Sequence, residues 1–418
     1  KVRSLNKEKI FLIGLALKFL FILFLNPYIS SDLFIPFLKN TVENFSFNPW
    51  NNYLLLEGRI DSFPYGLIML IAYLPLSFFG NILDQHFYDL NFLEFGFKLT
   101  SLFFDYLLLV FLFLITDYKN KNLLLICYWI SPITIYTIYI HGQLDIVPVS
   151  LLICSVYFIK LNKFRISGFI FALSLSSKFS MFIGLPFILI YIYKRKGFQE
   201  EISSYIKTFI LSSLIFYVPY ITSYGFIKMV FGTKELNRLY SVFIDYGSYL
   251  KLYVVPVIYL FALYLFWRLS RITQDLFLVS LGIGFLSILV FLPPATGWFF
   301  WVIPFLTYYQ ITSKKDFILI SFIYNSVYVI NTMLYENFLN LQSSPIYIYL
   351  FSIDNSRILS IFFTLQQSLG LLIAIRMYIY GLKRNNFYST NNNTILISVE
   401  GNHLGNTSVF LNALNKLI

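Results

Sequence analysis

His141-Gly142-Gln143-Leu144-Asp145 is a short polar cluster set between two long apolar runs, Leu123 to Ile140 and Ile146 to Ile159. Runs of this kind read as helices, so the cluster lies at a helix junction. In lipid, an imidazole, an amide and a carboxylate at such a junction cost several kcal/mol unless something satisfies or uses them. The cluster therefore marks both a membrane fold and a first candidate for a functional site.

Further apolar runs lie on both sides of it, near 10–28, 96–116, 123–140, 146–160, 166–193, 203–222, 249–267, 274–293, 298–312, 316–335 and 357–380, with a shorter, ambiguous one at 65–83. Of the 418 residues, 58% are hydrophobic and only 12% charged, and the mean hydropathy is +0.71, which excludes an ordinary soluble domain. The expected fold class is all-α, a polytopic membrane protein surrounded by membrane lipids. A net charge of +11 would suit a nucleic-acid binder. The basic residues, however, sit in short clusters between apolar runs, as in cytoplasmic loops, so no nucleic-acid partner is expected. Cys127 and Cys154 both fall inside apolar runs, which suggests neither a disulfide framework nor a metal site. No cofactor is implied.

The basic clusters set the orientation. Lys160/Lys163/Arg165, Lys194/Arg195/Lys196, Arg268/Arg271, Lys314/Lys315 and Lys383/Arg384 should be cytoplasmic. Two of them bracket 166–193, which must go out and come back, with its turn near Ser176-Ser177-Lys178 and Lys178 on the outer side. The first run follows Lys1, Arg3, Lys7 and Lys9 without a small-residue cleavage site after it, and reads as an uncleaved first helix in a chain that lacks an initiator Met. Segment 30–64 then carries Asp32, Glu43, Glu57 and Asp61 against Lys39 and Arg59, a net negative outside loop. Lys119 and Lys121 look cytoplasmic only if 65–83 dips in without crossing. That choice leaves His141 to Asp145 outside, both termini inside and about 12 crossings.

Residues 1–384 thus form a transmembrane domain, 385–393 a polar Asn-rich linker, and 394–418 a segment of another kind. The last, a strand-like Thr394 to Glu400, then Gly401-Asn-His-Leu-Gly405-Asn406-Thr407-Ser408 and an apolar helix, resembles the opening of a P-loop kinase of the thymidylate-kinase type. Asn406 stands where the phosphate-binding Lys would be, so the resemblance is to a truncated, degenerate domain; a plain tail is the alternative.

Asp32 follows the first helix at the outer surface, where partial desolvation would raise its basicity and suit it to act as a general base. A solvated loop Asp or an N-cap for Leu33 to Asn40 is the competing assignment. Phe47-Asn48-Pro49-Trp50 and Asp61-Ser-Phe-Pro64-Tyr65-Gly66 in the same loop read as amphipathic surface segments whose Trp50 and Tyr65 would wall a sugar site or form an aromatic belt. Lys178 would either bind an anion or snorkel to the head groups. Gln143 and Asp145 would orient a ligand, or cap a helix and bridge helices. Lys98 and Asp105, seven apart on one face of a helix, could each pair with a neighbour, and a structural ion pair is favoured over a site. Trp298 and Trp301 read as an interfacial belt or an acceptor platform.

Taken together, a carboxylate just past the first helix, the Asn-Pro-Trp and Phe-Pro-Tyr-Gly elements, His141-Gly-Gln-Leu-Asp145 and Gly168 … Ser177-Lys178-Phe179 resemble the C superfamily (GT-C) of membrane glycosyltransferases. The nearest branch is the polyprenyl-phosphate-mannose-dependent mannosyltransferases, over roughly residues 10–310. The resemblance implies a GT-C-like architecture and transfer of a sugar, mannose favoured, from a polyprenyl-phosphate donor to a lipid or glycan acceptor on the outer face, with inversion and Asp32 as base. It implies that His141, Gln143, Asp145, Lys178, Arg59, Trp50 and Tyr65 bind substrate, with Lys228, Lys234 and Arg238 as further cations for the donor phosphate. Ser30 stands where some relatives carry a second carboxylate, so no metal is implied. Richness in Asn, Ile, Phe and Lys points to an AT-biased genome and a bacterial plasma membrane. The competing functions are a transporter or flippase of lipid-linked sugars, and a ligase or polymerase of surface polysaccharide.

Overall fold

The computed structural model describes residues 2–87, 91–118, 120–195, 199–233, 237–292, 296–313, 316–335 and 355–383. The linker and P-loop-like segment at 385–418 lie outside the described residues, as does Lys234. The described chain is all-α apart from one small hairpin.

Its first long helix, α1 (Lys9–Phe24), is followed by a wide π-helical turn, Ser30–Phe34, and two short helices, α2 (Ile35–Glu43) and α3 (Pro49–Leu55). Proline stands in the first turn of both short helices, where its missing N–H costs nothing, and Asn48 caps α3 by accepting from the Asn51 N–H at 3.2 Å. A strap, residues 56–66, leads into α4 (Leu67–Asp84), which folds back on α5 (Phe92–Ile115). The two are antiparallel: the Tyr73 hydroxyl meets that of Ser101 at 2.9 Å, and the Asp84 carboxylate accepts the N–H groups of Phe92 and Leu93, capping α5.

α5 is also antiparallel to α1. Near the start of α5 the Lys98 ammonium donates to the Leu25 carbonyl at 2.6 Å and the Asn26 side chain at 2.9 Å, closing the C-terminus of α1. Beyond the end of α5, Lys121 pairs with Glu8 ahead of α1. The hairpin tip between α4 and α5 therefore lies at the Leu25 end of the bundle, and α4 runs beside only part of α5. The shorter 65–83 run forms α4, which is itself long and apolar enough to cross a bilayer.

Next come α6 (Lys121–Trp129) and α7 (Pro132–Ile140), bent by 43° at Ile130-Ser131, where Pro132 interrupts the helix, then α8 (Ile146–Lys160), α9 (Phe164–Ser177), α10 (Leu185–Lys194) and α11 (Gln199–Tyr217). The basic residues gather at one end: Lys160 donates to the Ile115 carbonyl, Arg195 to Asn162, and Lys194 to the Leu269 carbonyl. The two lysines satisfy backbone carbonyls left open where helices end, and Arg195 is held by the Asn162 side chain. At the opposite end α9 stops at Lys178, which is extended (φ −149°, ψ 120°), and the chain turns back through a 3-10 segment, Phe179–Gly184. This is the reversal expected within 166–193.

The stretch expected as one span at 249–267 divides. Strands β1 (Phe243–Asp245) and β2 (Lys251–Tyr253) pair antiparallel before α12 (Val254–Arg268) begins. α13 (Gln274–Leu289), α14 (Ile303–Thr312), α15 (Asp316–Tyr335) and α16 (Asn355–Lys383) complete the bundle. Four helices are individually long and apolar enough to cross a bilayer, five if the bent α6/α7 pair is one span. Other described helices are apolar but shorter, and α8 starts and α9 ends at the polar turns that build the site described next.

Candidate functional site

Asp145 lies at the first turn of α8, yet its side chain makes no cap hydrogen bond. One carboxylate oxygen, Oδ1, instead accepts from the Lys178 ammonium at 2.6 Å and from the Trp301 indole N–H at 2.7 Å. The other, Oδ2, is buried and has no hydrogen-bond partner among the described residues. The Asp145 side chain is fully buried, whereas Lys178 keeps 15% of its side chain exposed. The pair is thus sealed on the carboxylate side and accessible on the ammonium side. Lys178 has three N–H donors, of which Asp145 takes one.

Three pieces of chain hold it there. The break at His141 to Leu144 needs Gly142, which has φ +79° and would place a Cβ 2.8 Å from Pro27 Cβ. That contact presses the junction against the turn that carries Asp32. The strap supplies the second piece: the Gly66 N–H donates to the Ser177 carbonyl at 3.1 Å, closing the C-terminus of α9, and the Tyr65 ring lies 5.1 Å from the Lys178 ammonium. The third is the turn Thr296–Phe299 ahead of α14, where Gly297 is required by close approach. A Cβ there would stand 2.6 Å from both Asp145 Oδ2 and Gln143 Oε1. Two acceptor oxygens therefore converge beside Gly297.

Gln143 is half-buried, and its amide lies 3.1 Å from His141 Nδ1, which fixes the Nε2–H tautomer of the imidazole if the amide donates. His141 itself is buried, so it orients Gln143 from behind and does not line open space.

Asp32 is exposed, inside the π-helical turn Ser30–Phe34, and makes no hydrogen bond or ion pair among the described residues. It caps no helix. Its turn is fixed on both flanks: Ser30 abuts Gly142, Ser31 donates to Glu94, which pairs with Lys98 at 2.9 Å, and the Phe34 ring packs edge-on to Tyr65 at 5.6 Å. The turn bearing Asp32 so touches both the junction and the strap that frame Lys178.

The remaining sequence candidates fall elsewhere. Trp50 is fully buried: its indole donates to the Tyr65 carbonyl at 3.2 Å and its ring meets Phe226 and Tyr220 edge-on. It presents no face to a sugar and acts by anchoring the strap. Tyr65 is buried, packed edge-on to Phe34 and Phe63 with its ring near Lys178, and presents no open face to a sugar. Arg59 is exposed and held bidentately by Asp61, whose hydrogen bonds, with a lesser one from Tyr28, raise its pKa further. Lys228 is bonded to the Tyr224 hydroxyl, and Arg238 sits ahead of the hairpin. Trp298 and Trp301 are buried and stacked at 5.1 Å, which removes them from any interfacial belt. Trp301 and Gly297 are the site residues that the sequence did not single out for their contacts with Asp145.

A second charged cluster lies deeper. Lys18 and Asp105 pair at 2.6 Å with both side chains fully buried. Tyr139 donates to Asp105 Oδ2 at 2.6 Å, Tyr128 to Oδ1 at 2.7 Å, and the Lys18 ammonium stands 3.2 Å above the Trp129 ring. Asp105 thus pairs across helices, with Lys18, and Lys98 with Glu94. No group of His, Cys, Asp and Glu suited to a metal occurs among the described residues.

Compared with known protein families and with curated protein sequences, the chain matches none.

Proposed function

We propose that the chain is an integral membrane glycosyltransferase of the GT-C kind, passing a sugar, mannose favoured, from a polyprenyl-phosphate donor to a lipid or glycan acceptor. The observation that carries this reading is the pairing of an accessible Lys178 with a sealed Asp145 beside the turn that presents unpartnered Asp32. In this reading the basic clusters lie on the cytoplasmic side, α4 does not cross, and α6/α7 and the Phe179–Lys194 return each cross once, for about 12 crossings with both chain termini inside. The site then opens on the outer face, at head-group depth, in a bacterial plasma membrane.

In that reading Asp32 takes the proton of the acceptor hydroxyl as its oxygen attacks the anomeric carbon. The new C–O bond forms as the bond to the phosphate oxygen breaks, the configuration inverts, and polyprenyl phosphate leaves. The free N–H donors of Lys178 face the phosphate and balance its charge, while Asp145 fixes the ammonium in place. The half-buried Gln143 beside the pair offers its Oε1 as an acceptor for a sugar hydroxyl, which is a donor.

A carrier or flippase of lipid-linked sugars is the second reading, and the buried Lys18–Asp105 pair favours it, since carriers place charges well inside the bundle. One experiment separates the two. Purified protein in detergent is offered a panel of polyprenyl-phosphate sugars with membrane lipid extract, and wild type is compared with Asp32→Asn. Wild type should release polyprenyl phosphate, and a folded Asp32→Asn should lose about 10²–10⁴ of the rate. No release from any donor, with lipid-linked sugar moved across vesicles, would establish the carrier instead.

A further inference from the structure

The hairpin between α11 and α12 has one face that nothing in the described chain covers. Register pairs Phe243 with Tyr253, Ile244 with Leu252 and Asp245 with Lys251. Because side chains alternate along a strand, Phe243, Asp245, Lys251 and Tyr253 share one face. That face is partly screened by its own contacts, with the Lys251 ammonium 4.4 Å above the Phe243 ring and Tyr240 edge-on to Tyr253 at 5.1 Å, although Phe243 and Tyr253 remain exposed. The opposite face carries Ile244, Tyr246, Leu250 and Leu252, all apolar or aromatic and all exposed, with Tyr249 wholly exposed at the tip. A two-stranded hairpin of this kind is marginal in water, and an uncovered apolar face makes it more so.

What covers it follows from where it is attached. The Val254 N–H donates to the Val242 carbonyl, so the hairpin runs straight into α12. That helix exposes Val257, Leu260, Phe261 and Tyr264, an i, i+3, i+4, i+7 stripe that the bundle leaves for lipid. Its far end reaches Lys194 and the basic cluster, so the hairpin stands at the end of the bundle where Lys178 lies. Tyrosines beside Leu and Ile, with Lys251 and Arg238 adjacent, match the membrane interface, where amphipathic rings and cations meet head groups.

We propose that residues 243–253 form an interfacial paddle, its Ile244/Tyr246/Leu250/Leu252 face and Tyr249 tip embedded in the head-group and upper acyl layer of the leaflet onto which the Lys178 site opens. The paddle extends the lipid-facing stripe of α12 outward over the surface from which a lipid-linked molecule would approach. This inference rests on the chain lying in a bilayer and is independent of sugar transfer.

The test uses full-length protein in lipid nanodiscs. Tyr249→Cys is labelled with an environment-sensitive fluorophore, and a parallel Phe261→Cys label on α12 reports the lipid face; Cys127 and Cys154 are buried and take no label. Quenching by lipids carrying a nitroxide high on the acyl chain is compared with quenching by aqueous iodide. The Tyr249 label should be quenched several-fold more by the lipid nitroxide than by iodide. Stronger iodide quenching at Tyr249, with the Phe261 label still quenched from lipid, would overturn the paddle while leaving the membrane fold intact. Protection from both quenchers, with energy transfer between labelled copies, would overturn it in favour of a second chain. A Phe261 label that sees no lipid nitroxide would overturn the paddle together with the bilayer placement on which it rests.

Discussion

Two Lys–Asp pairs in this molecule have the same 2.6 Å separation and opposite surroundings. Around Asp105 every lone-pair direction that matters is taken: Lys18, Tyr128 and Tyr139 saturate the carboxylate, the Trp129 face covers the ammonium, and neither side chain is exposed. Around Asp145 the set is incomplete, with Oδ2 unpartnered and Lys178 partly open. Such buried pairs add little net stability over apolar residues of the same size, but breaking one by removing a single partner is expensive. The complete pair therefore locks α1, α5 and the bent α6/α7 helix into register. The incomplete pair retains unused hydrogen-bonding capacity at the end of the bundle, and its Lys178 side is accessible to a ligand.

The sharpest way to break the comparison is Lys18→Met, which leaves buried Asp105 without its counter-charge, held among the described residues only by the Tyr128 and Tyr139 hydroxyls. Stability should fall by about 3–5 kcal/mol, read as a lowered midpoint of thermal unfolding in detergent; an unchanged midpoint would show that the inner pair locks nothing. Trp301→Phe keeps a ring but removes the N–H that holds Asp145 Oδ1, a hydrogen bond to a charged group worth about 1.5–3 kcal/mol. It should reduce sugar transfer by a comparable factor while the KM for donor rises, because Lys178 loses its fixed position; a purely structural role would lower the unfolding midpoint and leave KM alone. Gly297→Ala should cost about 1–3 kcal/mol by overpacking, since its methyl group would sit on both acceptor oxygens. Here the discriminating observation is again transfer kinetics, with Gly297→Ser as a comparison that crowds the same point. Smallest is Arg59→Ala, which removes an exposed pair worth about 0.2–1 kcal/mol and should leave transfer near wild type. A large loss of transfer would bring Arg59 into the site and enlarge the region that the open pair serves.

Much of this arrangement was legible in sequence because it depends on local signals. The cost of polar residues in lipid singled out His141 to Asp145, and basic clusters on both sides of 166–193 required a reversal at Ser176 to Lys178, where the helix does break. The two lysines at 119 and 121 asked that 65–83 not cross, whereas α4 is one of the described helices long and apolar enough to do so. What escaped was set by contacts between distant segments. Trp301 meets Asp145 across 156 residues, and Lys18 meets Asp105 across 87, with no spacing rule to link either pair. Trp50 looked like a surface aromatic because its amphipathic segment is exposed at Phe47, yet the fold turns its ring inward against Phe226. The second strand of the hairpin was hidden in the apolar run 249–267, which hydropathy reads as helix, and the first lies just ahead of that run. The signal that would have found it is the alternation of Phe243 to Tyr246 before the turn residues Gly247 and Ser248.

The most direct measurement replaces both charges of each pair and follows unfolding and transfer together. Lys18→Met with Asp105→Asn should recover most of the stability lost in Lys18→Met alone and still transfer sugar. Lys178→Met with Asp145→Asn should unfold near the wild-type midpoint yet release no polyprenyl phosphate. Loss of transfer in the first variant with full transfer in the second would contradict the account and move the functional site to the inner pair.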